Sequence, residues 1–198
     1  NYHFVIYGAM FLGQFEPAMR AVRQMAETIP HELLEIQSPP MADYFETDLG
    51  KEPHVLIRFG MWNEILELDL PADTELYCMT TAFIEYAKAL AHSALGNVPQ
   101  AEAQLKVFLA AKARVPESRL SHNVRGVDLL EVAEAMLRGE LTYRKRDYDT
   151  AFGHLRRAVA LDDALPYDEP WGWMQPTRHA LGALLFEQGH ITEAEAVY

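Results

Sequence analysis

Side chains that can bind an anion or a metal ion recur along the chain in pairs spaced four residues apart. The pairs are His3 with Tyr7, His54 with Arg58, and Glu140 with Arg144. Residues four apart lie on one face of a helix, so each pair presents its two side chains together. Arginine can hold a carboxylate through two parallel hydrogen bonds, tyrosine adds flat contact area, and imidazole suits zinc, copper or iron. Tyr143 and His179 complete this set of candidate binding residues.

The chain carries none of the local motifs that mark the common enzyme classes. It has no phosphate-binding GxxxxGK[ST], no GxSxG elbow, no HExxH, no CxxC and no Rossmann glycine pattern. A conventional enzyme is therefore not indicated, and whether the chain catalyses a reaction stays open. We expect four of the other histidines to be packing, loop, surface and turn residues outside any site: His92, His122, His154 and His190, respectively. The single cysteine, Cys78, is expected to be a buried, unreactive thiol.

Composition and charge narrow the class of protein. The 198 residues are 49% hydrophobic, which is enough to bury a core. No apolar run is long enough to span a membrane, and the start lacks the features of a signal peptide, so we expect a cytoplasmic protein with no membrane segment. The net charge of −12 would repel a phosphate backbone, so we expect no nucleic-acid partner.

The periodicity of apolar residues predicts an all-α class. Apolar positions recur at helical spacing, and no segment alternates as a half-buried strand does. The segments LGQF, FGMW, LGNV, RDY and QGHI indicate turns, and after each one a small or apolar residue anchors the next helix. These anchors are Ala18, Ile65, Ala101, Ala151 and Ala194.

The turn segments resemble tetratricopeptide repeats, in which a helix pair of about 34 residues has glycine at its turn and alanine at the helix contact. The matching residues are Gly13, Phe15 and Ala18; Gly96, Val98 and Ala101; Tyr148, Ala151 and Ala158; and Gly182, Gly189, Ile191 and Ala194. The second unit departs from the family, with Ile65 in place of alanine, and all anchors are spaced more widely than in the family. The order of segments is also similar to that of microbial tetratricopeptide proteins with HVLIRFG-W and LPYDEP segments.

This resemblance implies an α-solenoid of antiparallel helix pairs, irregularly spaced, in a single domain over residues 1–198. The expected units lie near residues 1–29, 41–69, 75–115, 127–163 and 175–198. Asn1 is not a start methionine and both ends fall within helical patterns, so we expect the sequence to be part of a longer protein. In such a stack the first helix of each pair lines a concave groove, and counting from the turns places the candidate binding residues there.

Three hypotheses remain for this groove. It can be polar and solvated without a ligand, or it can bind a protein or peptide whose carboxylate Arg58 and Arg144 would hold beside Tyr7 and Tyr143. It can also bind a small molecule or a transition metal, with or without catalysis. We expect a partner-binding module without a cofactor, and a metal or small-molecule site is the alternative. The candidate metal ligands are His54, His3 and His179.

Two inserted segments connect the early and central units. We expect a helix over residues 41–59 if Pro53 is accommodated as a kink. Residues 116–126 are expected to form a loop.

A third segment, LPYDEPWGWMQP, precedes the last helix pair. After its opening Leu-Pro it contains two further prolines, Pro170 and Pro176. Trp171 and Trp173 are expected to cover an exposed edge of the core. We expect Asp168 and Glu169 to interact with the N-terminus of the following helix.

Overall fold

The structure is a computed structural model that describes residues 1–198. It is mostly helical, with 68% of residues in helices, which confirms the all-α class. The α-helices are α1 Tyr2–Phe11, α2 Phe15–Glu27, α3 His31–Leu34, α4 Met41–Phe45, α5 Lys51–Arg58, α6 Trp62–Leu66, α7 Cys78–Ala94, α8 Val98–Lys112, α9 Gly126–Arg144, α10 Tyr148–Asp163, α11 Thr177–Glu187 and α12 Ile191–Val197. None of them combines the length and the apolar character that a membrane-spanning helix needs.

Five pairs of consecutive helices are joined by short turns and pack against each other. They are α1 with α2, α5 with α6, α7 with α8, α9 with α10, and α11 with α12. Four of the turns contain a glycine at positive φ: Gly13, Gly60, Gly96 and Gly189. Glycine adopts this conformation without the steric cost of a Cβ atom, which explains the glycine in the turn segments. The turn between α9 and α10 instead uses Arg146, at φ 64°.

Small residues allow the two helices of a pair to approach closely. All five anchor residues are buried, and Ala101 and Ala151 have no exposed surface at all. Opposite Ala151 in the same pair, a Cβ atom added to Gly139 would lie 2.6 Å from Leu155 Cδ2. Any larger side chain at these contacts would therefore force α9 and α10 apart.

Buried apolar side chains form two clusters. The larger one joins α7, α8, α9, α10 and α11, and the other joins α1, α2, α5 and α6. Ile57 of α5 and Trp62 of α6 pack against both clusters. Each helix pair also contacts the next one along the chain, because α5 packs on α1 and α2, α7 on α5 and α6, α9 on α7 and α8, and α11 on α10.

The helix predicted over residues 41–59 is interrupted, so that prediction was wrong in its continuity. Helix α4 ends at Phe45, a 3-10 helix spans Glu46–Gly50, and α5 begins at Lys51. Pro53 is the third residue of α5, where a backbone N–H would have no partner within the helix, so it causes no kink. Gly50 lets the 3-10 helix approach α7, because a Cβ atom there would lie 2.6 Å from Phe83 Cδ2.

Two buried charged residues hold the 3-10 helix in place. The Glu46 carboxylate accepts hydrogen bonds from the backbone N–H groups of Met79 and Thr80, at 3.1 and 2.8 Å, and so occupies the N-terminus of α7. Arg119 pairs with Asp43 Oδ1 at 2.9 Å and lies 3.4 Å from Glu46. These contacts fix the orientation of the 3-10 helix relative to α7 and to the segment that contains Arg119.

Residues 116–126, predicted as a loop, contain a short β-hairpin. Strands β1 (Leu120–Ser121) and β2 (Val124–Arg125) pair in antiparallel register, and His122 and Asn123 form the turn. This is the single sheet in the structure. Its turn lies beside the 3-10 helix, because β1 also packs on that helix.

Candidate functional site

The segment between α10 and α11, residues 164–176, crosses the first helices of three pairs; we call it the connector. The Trp173 ring lies 5.0 Å from the His54 ring of α5 and 5.8 Å from the Tyr86 ring of α7. Gln175 Nε2 donates a hydrogen bond of 2.9 Å to the carbonyl oxygen of His54. Met174 Sδ lies 2.9 Å from Nε2 of His3 in α1. The connector therefore covers His3 and His54 and buries both.

Two of the connector residues, Asp168 and Trp173, do not have the roles expected from the sequence. Asp162 rather than Asp168 binds the N-terminus of α11, because its Oδ2 accepts a hydrogen bond of 2.9 Å from the Thr177 hydroxyl. The indole N–H of Trp171 donates to the other oxygen of Asp162 at 2.7 Å. Trp173 is a core residue and not a cover over an exposed edge, since it is buried among the rings of α5 and α7.

Five ionisable side chains meet beside the connector, and we call them the polar cluster: His3, Asp48, Lys51, His122 and Asp168. They come from α1, the 3-10 helix, the start of α5, the turn of the β-hairpin and the connector. Four of these side chains are largely withdrawn from solvent, and His122 is the most exposed, at 34%. A buried group of ionisable side chains is costly unless its charges are balanced, so its presence needs an explanation.

Three members of the polar cluster have the geometry of a metal-binding group. Ligand atoms of His3, Asp48 and His122 all lie within 4.8 Å of one another. His122 Nε2 is 3.7 Å from Asp48 Oδ1, and the rings of His3 and His122 meet edge to face at 4.7 Å. In the structure no group of three such side chains includes His54 or His179.

The other two members of the polar cluster lie on either side of this group. Lys51 Nζ is 3.8 Å from Asp48 Oδ1 and donates a hydrogen bond of 3.3 Å to Ser121 Oγ. Asp168 Oδ1 is 3.8 Å from Nδ1 of His122. Two carboxylates thus face one lysine, which leaves one negative charge that a protonated His122 or a bound cation can balance.

Burial and these neighbours shift the pKa values of the polar cluster in opposite directions. Burial lowers the pKa of His3 to about 3, and nearby Lys51 adds to the effect. The carboxylate of Asp48 raises the pKa of His122. Burial opposes ionisation of Asp48, yet His122 and Lys51 together lower its pKa. Burial also lowers the pKa of Lys51. At neutral pH, His3 is therefore a neutral ligand and Asp48 an anionic one.

Several polar atoms of the polar cluster have no hydrogen-bond partner although they are buried. They are Nδ1 of His3, Oδ1 of Asp48 and Oδ2 of Asp168. Most buried polar atoms in proteins have a partner, so each exception needs a reason. A bound cation could satisfy unpaired lone pairs on an imidazole and a carboxylate of the same cluster.

His122 is held in an uncommon backbone conformation. Its φ angle is 51°, a region that favours glycine, and it occupies the tight turn between β1 and β2. A non-glycine residue there costs about 1–2 kcal/mol. In that conformation the imidazole lies beside Asp48 and Asp168 while it stays partly exposed, at a cost to stability that points to a function.

A surface cavity of about 270 Å³ gives access to the metal-binding group. His3, Asp48 and His122 lie in its wall, and the rest comes from the N-terminal residues up to 4, from the region of residues 25–33 and from Phe45. A ligand in this cavity could therefore reach all three side chains.

The structure separates the candidate binding residues of the sequence into several places. His3 lies in the polar cluster, whereas His54 is enclosed by the rings of Phe83 and Trp173. Three others meet at an exposed surface around Phe11: Tyr7, Arg58 and His179. Glu140 and Arg144 line a second cavity, and the hydroxyl of Tyr143 binds Gln188.

Sequence analysis alone did not identify the other members of the polar cluster as site residues. His122 was expected to be a plain loop residue and Asp168 a helix-end residue, and Asp48 and Lys51 were not singled out. Asp48 and Lys51 are three residues apart, but such pairs are common on helix surfaces. The Ser-His-Asn sequence at a hairpin turn was the one usable signal, because asparagine and histidine are enriched at positive φ.

Comparison with protein-family models, with curated proteins and with solved structures gave no match. The geometry of the sites is therefore the basis for assigning a function.

Proposed function

We propose that the protein binds one divalent transition-metal ion through His3, Asp48 and His122. The observation that carries the proposal is the meeting of two imidazoles and a carboxylate, with atoms within 4.8 Å of each other, in the wall of an open cavity. Two histidines and one carboxylate are a ligand set found at catalytic zinc sites and at non-haem iron sites.

The distances suit a site that closes when the ion binds. Ligand atoms at about 2.0–2.2 Å from a zinc ion are about 3–3.5 Å apart, so these side chains would move together by about 1 Å. His122 is the most exposed of the three and sits on a two-residue turn, so it can make most of this movement. Asp168, next to Nδ1 of His122, would then orient the His122 imidazole, as carboxylates beside metal-bound histidines do at many metal sites.

Three protein ligands leave at least one coordination position free. Structural zinc sites are closed by four protein ligands, whereas catalytic sites keep a position for water or substrate. The cavity of about 270 Å³ lies next to the three side chains and can hold such a ligand. The site therefore resembles catalytic metal centres more than structural ones in its ligand count.

Metal binding can be tested on chelator-treated protein by titration with Zn²⁺ and by the visible spectrum of the Co²⁺ form, with elemental analysis of the untreated protein. We expect one equivalent per chain. His122→Gly should abolish binding while keeping or raising the melting temperature, because glycine relieves the positive φ. Asn123→Gly, in the same turn, is the matched control and should bind normally.

Either of two results would contradict this proposal. Stoichiometric binding by His122→Gly, or none by the parent protein, would rule out this site. Affinity should also fall as the pH falls, because the pKa of His122 is raised and its proton competes with the metal.

As a second candidate function, we infer that the protein binds an acidic peptide. In this case its helix pairs would form an α-solenoid of the tetratricopeptide type. The supporting observation is the exposed surface where Arg58 lies 5.6 Å from the centre of the Phe11 ring, with Tyr7 and His179 beside it. Arginine and aromatic side chains are enriched at binding hot spots.

This second function predicts that short acidic peptides with a free C-terminus bind the parent protein better than amidated ones. Arg58→Ala should weaken binding by about 1–3 kcal/mol, and Arg20→Ala, on the exposed face of α2, should not. Equal binding by both variants would argue against the Phe11 surface.

A further inference from the structure

A second cavity, of about 140 Å³, lies between α5, α6, α7, α9, α11 and the connector. Three aromatic residues, Trp62, Tyr86 and Trp173, contribute to its wall, together with aliphatic side chains. It shares no lining residue with the metal-binding group. An engineered apolar cavity of about 150 Å³ holds benzene, so this one has room for a ligand of similar size.

Two charged side chains interrupt this apolar wall. Glu140 and Arg144 lie one helical turn apart on α9, and their nearest charged atoms are 3.9 Å apart. That distance is too long for a hydrogen bond, so the two charges face the same cavity without closing on each other. Arg144 is the more exposed of the two, at 35%, and Glu140 is at 17%, which places the carboxylate deeper in the cavity.

Glu140 is an unusual residue for such a place. Burial raises its pKa, although Arg144 acts in the opposite direction. Its ion pair with Arg144 is weak, and the carboxylate makes no hydrogen bond. A carboxylate that is largely buried and has no protein hydrogen-bond donor is poorly stabilised, and a ligand that carries N–H donors and a positive charge would stabilise it.

The ring of Trp173 forms part of the cavity wall, but its indole N–H is not accessible from the cavity. Trp173 is 2% exposed, and its indole N–H is buried without an acceptor. Indole N–H groups normally find a partner when they are buried. The charged groups that a ligand can reach in this small, mostly apolar space are therefore Glu140 and Arg144.

We propose that this cavity binds a small apolar α-amino acid of the size of valine. The ammonium group would pair with Glu140 between the aromatic rings, which also attract cations, and the carboxylate would pair with Arg144 at the mouth. An α-amino acid carries its two charged groups on one carbon atom, which suits the 3.9 Å separation of Glu140 and Arg144. The branched side chain would lie against the aliphatic wall, at Ile57, Leu90 and Met136.

The proposal does not depend on the metal site, because the two sites share no residue. Binding of L-valine can be measured by calorimetry and by tryptophan fluorescence, since two of the three tryptophans line the cavity. Isobutylamine has the ammonium without the carboxylate, and isobutyrate has the carboxylate without the ammonium. L-Valine should bind at least tenfold more tightly than either compound.

Two variants test the named contacts. Glu140→Gln keeps the shape of the side chain and removes a desolvated charge, so it should fold with an unchanged or higher melting temperature and bind L-valine at least tenfold more weakly. Arg144→Gln should weaken L-valine binding tenfold but should not weaken isobutylamine binding, because it removes a cation 3.9 Å from Glu140. Arg157→Gln, on the exposed surface of α10, is the matched control and should bind L-valine as the parent does.

Three outcomes would overturn the proposal. The first is the absence of L-valine binding by a folded parent protein. The second is isobutylamine binding as tightly as L-valine, which would indicate a simple cation site. The third is L-valine binding that both α9 variants leave intact, which would place the ligand elsewhere.

Discussion

Replacing His54 by phenylalanine should reduce the loss of stability in acid, because this buried imidazole resists protonation. The ring is enclosed by Phe83 and Trp173, at 4.8 and 5.0 Å between ring centres, and its Nδ1 has no hydrogen-bond partner. Burial, reinforced by the charge of Lys51, lowers the pKa of His54 from 6.5 to about 3. Phenylalanine has nearly the same shape and cannot take up a proton.

The direction of the effect follows from the protons bound in each state. Between pH 6.5 and about pH 3 the unfolded chain carries a proton on His54 and the folded chain does not. The contribution to stability is therefore complete above pH 6.5 and is lost as the pH falls, by about 1.4 kcal/mol per pH unit. At about pH 5 the loss amounts to about 2 kcal/mol, a large part of the about 5–15 kcal/mol that stabilises a typical domain.

Urea unfolding of the metal-free protein measures this effect. The free energy of unfolding of the parent minus that of His54→Phe should fall by about 2 kcal/mol between about pH 8 and about pH 5. Carboxylates titrate in both proteins, so their contributions cancel in this difference. A difference that stays constant within about 0.5 kcal/mol across the range would refute the reasoning, because it would mean that folding does not shift the pKa of His54.

Three further changes have defined outcomes. Ala151→Leu should lower the free energy of unfolding by about 1–3 kcal/mol in thermal melts, because the residue is fully buried where α9 meets α10. Gly96→Ala should lower the free energy of unfolding by about 1 kcal/mol because φ is 78° there, although a Cβ atom would meet no other atom. Gly153→Ala, at an equally open position inside α10, is the control and should be neutral or stabilising in the same melts. Lys51→Met should tighten Zn²⁺ binding severalfold in calorimetry, because it removes a cation 3.8 Å from Asp48.

The helix pairs could be predicted from the sequence because their determinants are local. A glycine at positive φ and a small or apolar anchor residue five positions later appear together in one short window of sequence. Arg146 shows the limit of this signal, since the fourth turn adopts the same conformation without glycine. The interrupted helix near Pro53 was missed because the break depends on Glu46, which binds the N-terminus of α7 more than thirty residues away.

The candidate site could not be predicted, because its residues meet only after distant segments have packed together. Asp48, His122 and Asp168 lie far apart in sequence and share no spacing that a motif search would detect. The groove expectation assumed that the first helices of the pairs face an open space. The connector occupies that space, and its Trp173 encloses His54, which no count from the turns could show.

The path of the connector also bears on how the chain folds. Helix pairs that contact only their neighbours can fray one at a time, because each interface is local. The connector joins the fourth pair to the first two through contacts between residues 121 and 171 positions apart in sequence. Those contacts raise the contact order of an otherwise local architecture, so the chain should fold more slowly than its helix content suggests. They also tie the early and late pairs into one cooperative unit, in which opening of the first pair exposes the connector and weakens the last.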